Sequence, residues 1–250
     1  MRDPHPAFPP LLTGHRLTVG RSPAVWAEAE AAAGRLGAGD LVWSEDPDDL
    51  RFALVLEPVV MRLRCQEILF AAMVAAGDSI GALSPPEVSI TYQWPSVILA
   101  NEAEIGFADI VISEADHEGA PEWMVVSLTL RIRPKRGQPE PGHEADRTTL
   151  WDEGCGALGK TALLESVSRH LINIIHSWSE DGFKPVHDQW LARISGKQKL
   201  AAGAAPYDGD HEFLGLGESG EALIKTGSGT HALMVMDVLI RLRTQRGEAA

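Results

Sequence analysis

The run from Gln93 to Glu114 constrains this chain more than any other part of it. Trp94-Pro95 closes one extended stretch, Ile98-Leu99 begins the next, and Asn101 with Glu102 makes a tight turn into Ile105-Gly106. β-Branched and apolar residues on both sides of an Asn-containing turn mark a hairpin. A central hairpin needs a sheet around it, and the flanking sequence supplies one. Asp40-Leu-Val-Trp43 and Arg51-Phe-Ala-Leu-Val-Leu56 read as strands paired across the acidic turn 44–50. Further strands are expected over 88–93, 97–100, 104–113 and 123–132.

Helical signals fall between these strands. Ser22 as N-cap, Pro23 at the first helical position and Gly37 past the end bracket an alanine-rich helix. Cys65, Ile68, Leu69, Ala72, Met73 and Ala76 recur at helical steps, so a second helix is expected over 62–76. Leu163, Leu164, Val167, Leu171, Ile174, Ile175 and Trp178 do the same, with Gly182 beyond, and 188–194 adds one or two more turns. The Pro-, Gly- and charge-rich stretch 134–147 is expected to be a flexible surface loop, and the proline-rich start (Pro4 to Pro10) an extended arm. Lys197 to Ala205 reads as a linker. Beyond it, glycine-punctuated strands over 212–215, 221–225 and 231–236 have the size of a small SH3-like barrel.

Composition narrows the partners. A chain of 250 residues can bury a sizeable core, and its net charge of −13 argues against nucleic acid or an anionic membrane as the main partner. Two cysteines form no disulfide or metal framework, and no apolar run approaches the roughly 20 residues that span a bilayer. The N-terminus lacks the charged-then-apolar pattern of a signal peptide. A cytoplasmic protein is expected.

The Trp94-Pro95 block resembles the centre of the biotin/lipoate protein ligase family, where Lys-Trp-Pro-Asn-Asp-Ile leads to an Asn-Gly turn and then a Lys-Ile-x-Gly strand. Leu41-Val-Trp-Ser-Glu45 resembles the strand before that family's nucleotide- and acyl-binding loop, Trp123 to Leu130 its Val-Gly-Ile-Gly-Ile-Asn strand, and Thr148-Thr-Leu-Trp-Asp-Glu-Gly154 the segment before its final helices. The resemblance implies an α+β fold, a mixed sheet with helices on one side, over 11–196, followed by the SH3-like unit over 205–243. It implies a pocket shaped by Trp43, Gln93, Trp94, Asn101, Gly106 and Ser127. The ligand would be a lipoyl, octanoyl or biotin-type acyl group, or the carrier domain bearing one. Homodimerisation through the sheet is a family tendency that no residue here specifies.

The chemistry departs from the family. Gln93 stands where the biotin enzymes place lysine, and Glu104 where the lipoate enzymes place theirs. The family's Gly-Arg-Gly-Arg-Arg-Gly loop holds phosphate through amides and guanidinium forks. Here the same junction reads Glu45-Asp-Pro-Asp-Asp-Leu50, four carboxylates in six residues. Two unit charges about 4 Å apart interact by about 4 kcal/mol at an effective dielectric of about 20, so this loop repels a nucleotide phosphate. Impaired or absent ATP-dependent adenylation is therefore expected. The alternative is an active ligase, with ATP and Mg²⁺, whose lost cations are replaced by Arg51, Arg131 or Lys135; solvated strand ends are the commoner fate of such residues.

Three other motifs compete. Gly154-Cys-Gly-Ala-Leu-Gly159-Lys160-Thr161 matches a phosphate-binding loop letter for letter, but the segment before it is not the buried apolar strand such a loop needs. A glycine-rich lead into a helix is the plainer reading. Nine histidines show no metal-ligand spacing on one helix face, and no metal site is expected. Cys155 lacks the lysine partner of a cysteine–lysine acyl-transfer pair. Trp43, Trp94 and Trp123 either line the pocket or serve as core, with packing favoured for Trp123.

Overall fold

The computed structural model describes residues 5–115, 119–135, 146–205 and 211–246. Most of the expected loop over 134–147, and Pro4 of the N-terminal arm, lie outside them. A seven-stranded sheet forms the centre, in the spatial order β1 (Thr13–Leu17), β2 (Asp40–Ser44), β3 (Asp49–Leu56), β7 (Met124–Arg131), β6 (Ala103–Ile112), β5 (Val97–Ala100) and β4 (Ile90–Gln93). β1 and β2 run parallel; every other neighbouring pair is antiparallel.

Both faces of β2 and β3 are apolar, and this dictates where the helices go. Leu41, Trp43, Phe52 and Leu54 point into the main core, with α3 (Glu67–Leu83), α4 (Lys160–Asp181) and α5 (Lys184–Leu191). The alternate residues Val42, Ala53 and Val55, with Val125 of β7, point the other way and are buried under α1 (Pro23–Ala32) through Ala27 and Ala31. The expectation of helices on one side is corrected here: α1 covers the second face. Strands that are apolar on both faces need cover on both.

α1 starts as the sequence requires, with Ser22 Oγ accepting Val25 N–H at 3.4 Å and Pro23 at the first position. The expected helix over 62–76 is instead a short α2 (Arg62–Cys65) followed by α3, which runs on to Leu83. The stretch Arg62–Leu83 is long and apolar enough to cross a membrane, but 78% of its most apolar 18-residue window is buried inside the protein, as befits a central core helix. Gly77 is needed there: a Cβ would stand 2.1 Å from the Tyr92 hydroxyl.

The C-terminal part is a three-stranded antiparallel sheet in the order β10 (Gly229–Leu233), β9 (Ala222–Thr226) and β8 (Glu212–Leu216), followed by α6 (Val235–Arg246). The strand expected over 231–236 turns helical at Val235. Val235, Val238, Leu239 and Leu242 are all buried, at steps of three, four and seven, which is a helix period. A small C-terminal β unit is thus present, as three described strands and a helix. The expected linker is also packed structure. Tyr92 N–H donates to Arg193 O, Ser195 N–H to Tyr92 O, Trp94 N–H to Lys199 O and Ala201 N–H to Trp94 O, all at 2.8 Å, so 193–201 lies along the outside of β4.

Candidate functional site

Across the sheet, Gln93 pairs with Val97, Val97 with Phe107, Phe107 with Thr129, and Thr129 with Arg51. Residues directly opposite one another share a face, so this row projects from the face that α1 covers only in part. Beside it, Asp109 pairs with Ser127 and Ser127 with Ala53. Two cavities lie on this face. One, of about 270 Å³, is lined by Arg51, Phe107, Ser127, Thr129, Arg131, Arg133 and Lys135, with Asp49 and the start of α1. The other, of about 510 Å³, takes in Gln93, Val97, Asn101, Glu102, Glu104 and part of α6.

The smaller cavity has four cationic side chains and one carboxylate in its wall, in a chain whose net charge is −13. The three cations singled out in the sequence converge there and are joined by Arg133. The signal that finds Arg133 is a period of two: Ser127, Thr129, Arg131, Arg133 and Lys135 are alternate residues along β7 and its extension.

Each of three cations is held by an acid. Asp49 is buried, and its Oδ2 accepts Arg51 Nη2 at 2.5 Å and Lys135 Nζ at 2.9 Å. Its Oδ1 and Arg51 Nε find no hydrogen-bond partner among the described residues. Arg131 Nη2 donates to the carbonyl of Glu104 at 2.6 Å and to its carboxylate at 2.9 Å, while Nε donates to Thr148 O at 3.2 Å. A guanidinium from β7 thus reaches position 104, where the resemblance leads one to look for a lysine.

The acidic loop between β2 and β3 closes on itself. Asp46 Oδ1 accepts the backbone N–H of Asp48 at 3.0 Å and of Asp49 at 3.3 Å, and Ser44 Oγ accepts that of Asp46 at 3.1 Å. Amides that would cradle a phosphate are already bonded to the chain's own oxygens. Lys160 Nζ donates to the Asp46 carbonyl, which ties the start of α4 to the same loop. Four carboxylates, of Glu45, Asp46, Asp48 and Asp49, lie along this junction, with Arg16 paired to Glu45 at 3.1 Å and Arg51 to Asp49 at 2.5 Å.

The remaining sequence candidates disperse. Trp43 is buried, meets His5 and Phe8 edge-on at 5.3 and 5.2 Å, and lines a separate cavity of about 370 Å³ with Arg16, Glu45 and Lys160. Trp94 is a core residue whose indole N–H donates to Gly220 O at 2.8 Å. Gly106 is required by backbone: a Cβ would lie 2.0 Å from Thr129 O. Asn101 holds a turn at φ +48°, accepting Ser89 N–H at 3.0 Å and donating to Glu153 at 2.8 Å. Trp123 packs half-buried beside α1's cluster. Of the candidates, only Gln93 and Ser127 present side chains on the two-cavity face with Asn101 at its margin. The phosphate-loop match supplies a helix start at Lys160, but 146–159 forms turns with no strand. Cys155 is buried against Ser84 Oγ at 3.1 Å. Among the described residues no three His, Cys, Asp or Glu side chains converge on a metal position.

Comparison with known proteins places this geometry. A model of the biotin/lipoate A/B protein ligase family matches residues 8–192. A biotin protein ligase-like protein of unknown function from a Silicibacter species is 32% identical, with a TM-score of 0.83 over 94% of this chain and 100% of that one. A mutant biotin protein ligase from Aquifex aeolicus, in complex with biotin, is 17% identical with a TM-score of 0.66, over 90% and 96% of the two chains. The biotin protein ligase of Leishmania major, also in complex with biotin, is 14% identical with a TM-score of 0.57, over 90% and 99%. The last two share the fold. Among functionally curated proteins none matches significantly.

Proposed function

The chain belongs to the biotin/lipoate A/B protein ligase family, and from that premise we propose that it binds a biotin-, lipoyl- or octanoyl-type acyl group, free or on its carrier domain, without ATP-dependent adenylation. The observation that carries this reading is the Asp46 carboxylate on the amides of Asp48 and Asp49, where a nucleotide phosphate would need those donors. The acyl carboxylate would sit against the cations of the smaller cavity, with Ser127 beside it and Gln93 at the far end of the row, in the larger cavity. Structural neighbours that bind biotin support an acyl ligand of this general kind. Residues 11–196 would form the ligand-binding part and 205–243 an SH3-like appendage. Two buried cysteines that share no disulfide suit a reducing cytosol.

A second reading is an active ligase with a non-standard site. The convergence of Arg51, Arg131, Arg133 and Lys135 in one cavity favours it, because guanidinium forks match anionic oxygens. Thermal stabilisation by biotin, lipoate, octanoate, ATP·Mg²⁺ and acyl-adenylate analogues separates the two. A ligand at about 100 times its dissociation constant adds about 2.7 kcal/mol. The first reading expects that gain from a free acid and none from ATP·Mg²⁺. Strong stabilisation by an adenylate alone replaces it with the second, and silence from every ligand sinks both.

A further inference from the structure

We propose that Phe107 sets the length of the acyl group this protein accepts, an inference that rests on the acyl-binding reading above. Val97 and Phe107 are direct partners across β5 and β6, in the middle of the row that runs from Gln93 to Arg51. Phe107 lines the smaller cavity and not the larger; Val97 lines the larger and not the smaller. This pair is therefore the partition between the two, and Phe107 is the bulky half of it.

Strands lie about 4.8 Å apart, so Phe107 on β6 stands about 10 Å across the sheet from Arg51 on β3, with β7 between them. A carboxylate held by Arg51, Arg131 or Lys135 directs its chain along this row, away from the cations. The chain meets the Phe107 ring at the end of a cavity of about 270 Å³, near the lower limit of small-molecule sites. A compact or medium-length acyl group fills that space. A longer one needs the 510 Å³ on the Val97 side of the partition. Phe107 is half-buried, which matches a ring packed on one side and lining a cavity on the other.

The test uses the full chain and a series of straight-chain acids from hexanoate to dodecanoate, with binding measured by calorimetry. Wild type should bind octanoate best and lose affinity for the longer acids. Phe107→Ala should move the ratio of decanoate to octanoate affinity on the order of tenfold toward decanoate, since each newly buried methylene is worth roughly fourfold. Phe107→Leu, which keeps more of the packing, should shift the optimum in the same direction by less, and it stands in if the alanine variant does not fold. An unchanged order of chain lengths in the folded variants, or a uniform loss across the series, overturns the assignment of Phe107 alone. Failure of wild type to bind any of these acids, biotin or lipoate overturns the acyl-binding reading and this inference with it.

Discussion

Asp46 accepts the backbone N–H of Asp48 at 3.0 Å, and a loop that elsewhere would greet an anion is here folded around one of its own. The same carboxylate takes Asp49 N–H at 3.3 Å. Asp46→Ala removes both bonds and leaves two amides to find water. A loss of about 1 kcal/mol is expected in urea unfolding, the usual net worth of a partly exposed hydrogen-bond pair. The carboxylates of Glu45, Asp48 and Asp49 stay around the freed amides and keep Arg16 and Arg51 engaged, so the variant should gain no stabilisation from ATP·Mg²⁺. A gain would show that Asp46 alone keeps the nucleotide out.

Gly106 tests whether a ligand or the backbone demands a missing side chain. In Gly106→Ala the new Cβ would stand 2.0 Å from Thr129 O, and both atoms belong to central strands that cannot separate cheaply. Overpacking of this kind costs about 3 kcal/mol. The loss should be seen in denaturant midpoint in the absence of any ligand. A variant of wild-type stability that fails to bind acids would assign the glycine to the pocket instead.

Burial raises the Glu67 carboxyl above its ordinary value of 4.5, against the opposing pull of hydrogen bonds from Trp178 and Arg64. Trp178 Nε1 donates at 2.6 Å and Arg64 Nε at 3.3 Å. The folded state therefore holds this proton more tightly than the unfolded chain. Its contribution is fully present below about pH 4.5 and is lost as the pH rises through the elevated folded-state value. Glu67→Gln cannot titrate. The stability of wild type relative to this variant should fall as pH rises from 4.5, measured by parallel denaturation series. A difference independent of pH would mean that the carboxyl titrates alike in the folded and unfolded chain, and would overturn the effect of burial.

Trp94 joins the two parts of the chain. Trp94→Phe keeps most of the buried area but leaves the Gly220 carbonyl without its indole donor. Stranding a buried acceptor costs about 1–3 kcal/mol. Because Leu216, Ala222 and Ile224 belong to the same core as the central sheet, the loss should appear in one unfolding transition followed by two probes. Separate transitions for the β8–β10 unit would contradict that coupling.

The strands around the Trp94-Pro95 block were legible because each is short, apolar and bounded by turn residues. The helices were legible where one face is polar, as in α4. α3 outran its expected end because it is buried on nearly every side, so no stripe marks its length. The strand expected over 231–236 took in the first two residues of α6, because a short apolar run has no distinguishing period until its buried positions are known; 235, 238, 239 and 242 supply it. The 197–205 segment looked like a linker since Ala201 and Ala204 are small, yet small size is what lets them pack into the core. For the site, sequence located Arg51 and Lys135 but not the acid that holds both: Asp49 counted only as one of four repelling charges. Phe107 gave no signal, because its significance lies in which cavities meet beside it.

A sheet grows from whichever outer strand still has backbone groups to offer. On the β4 side this protein has laid its own residues 193–201 along the rim, with four main-chain bonds to Tyr92 and Trp94. That margin is sealed against a foreign strand before any partner arrives. The opposite end of the sheet is β1, so its two margins are finished differently, an asymmetry that composition alone would never disclose.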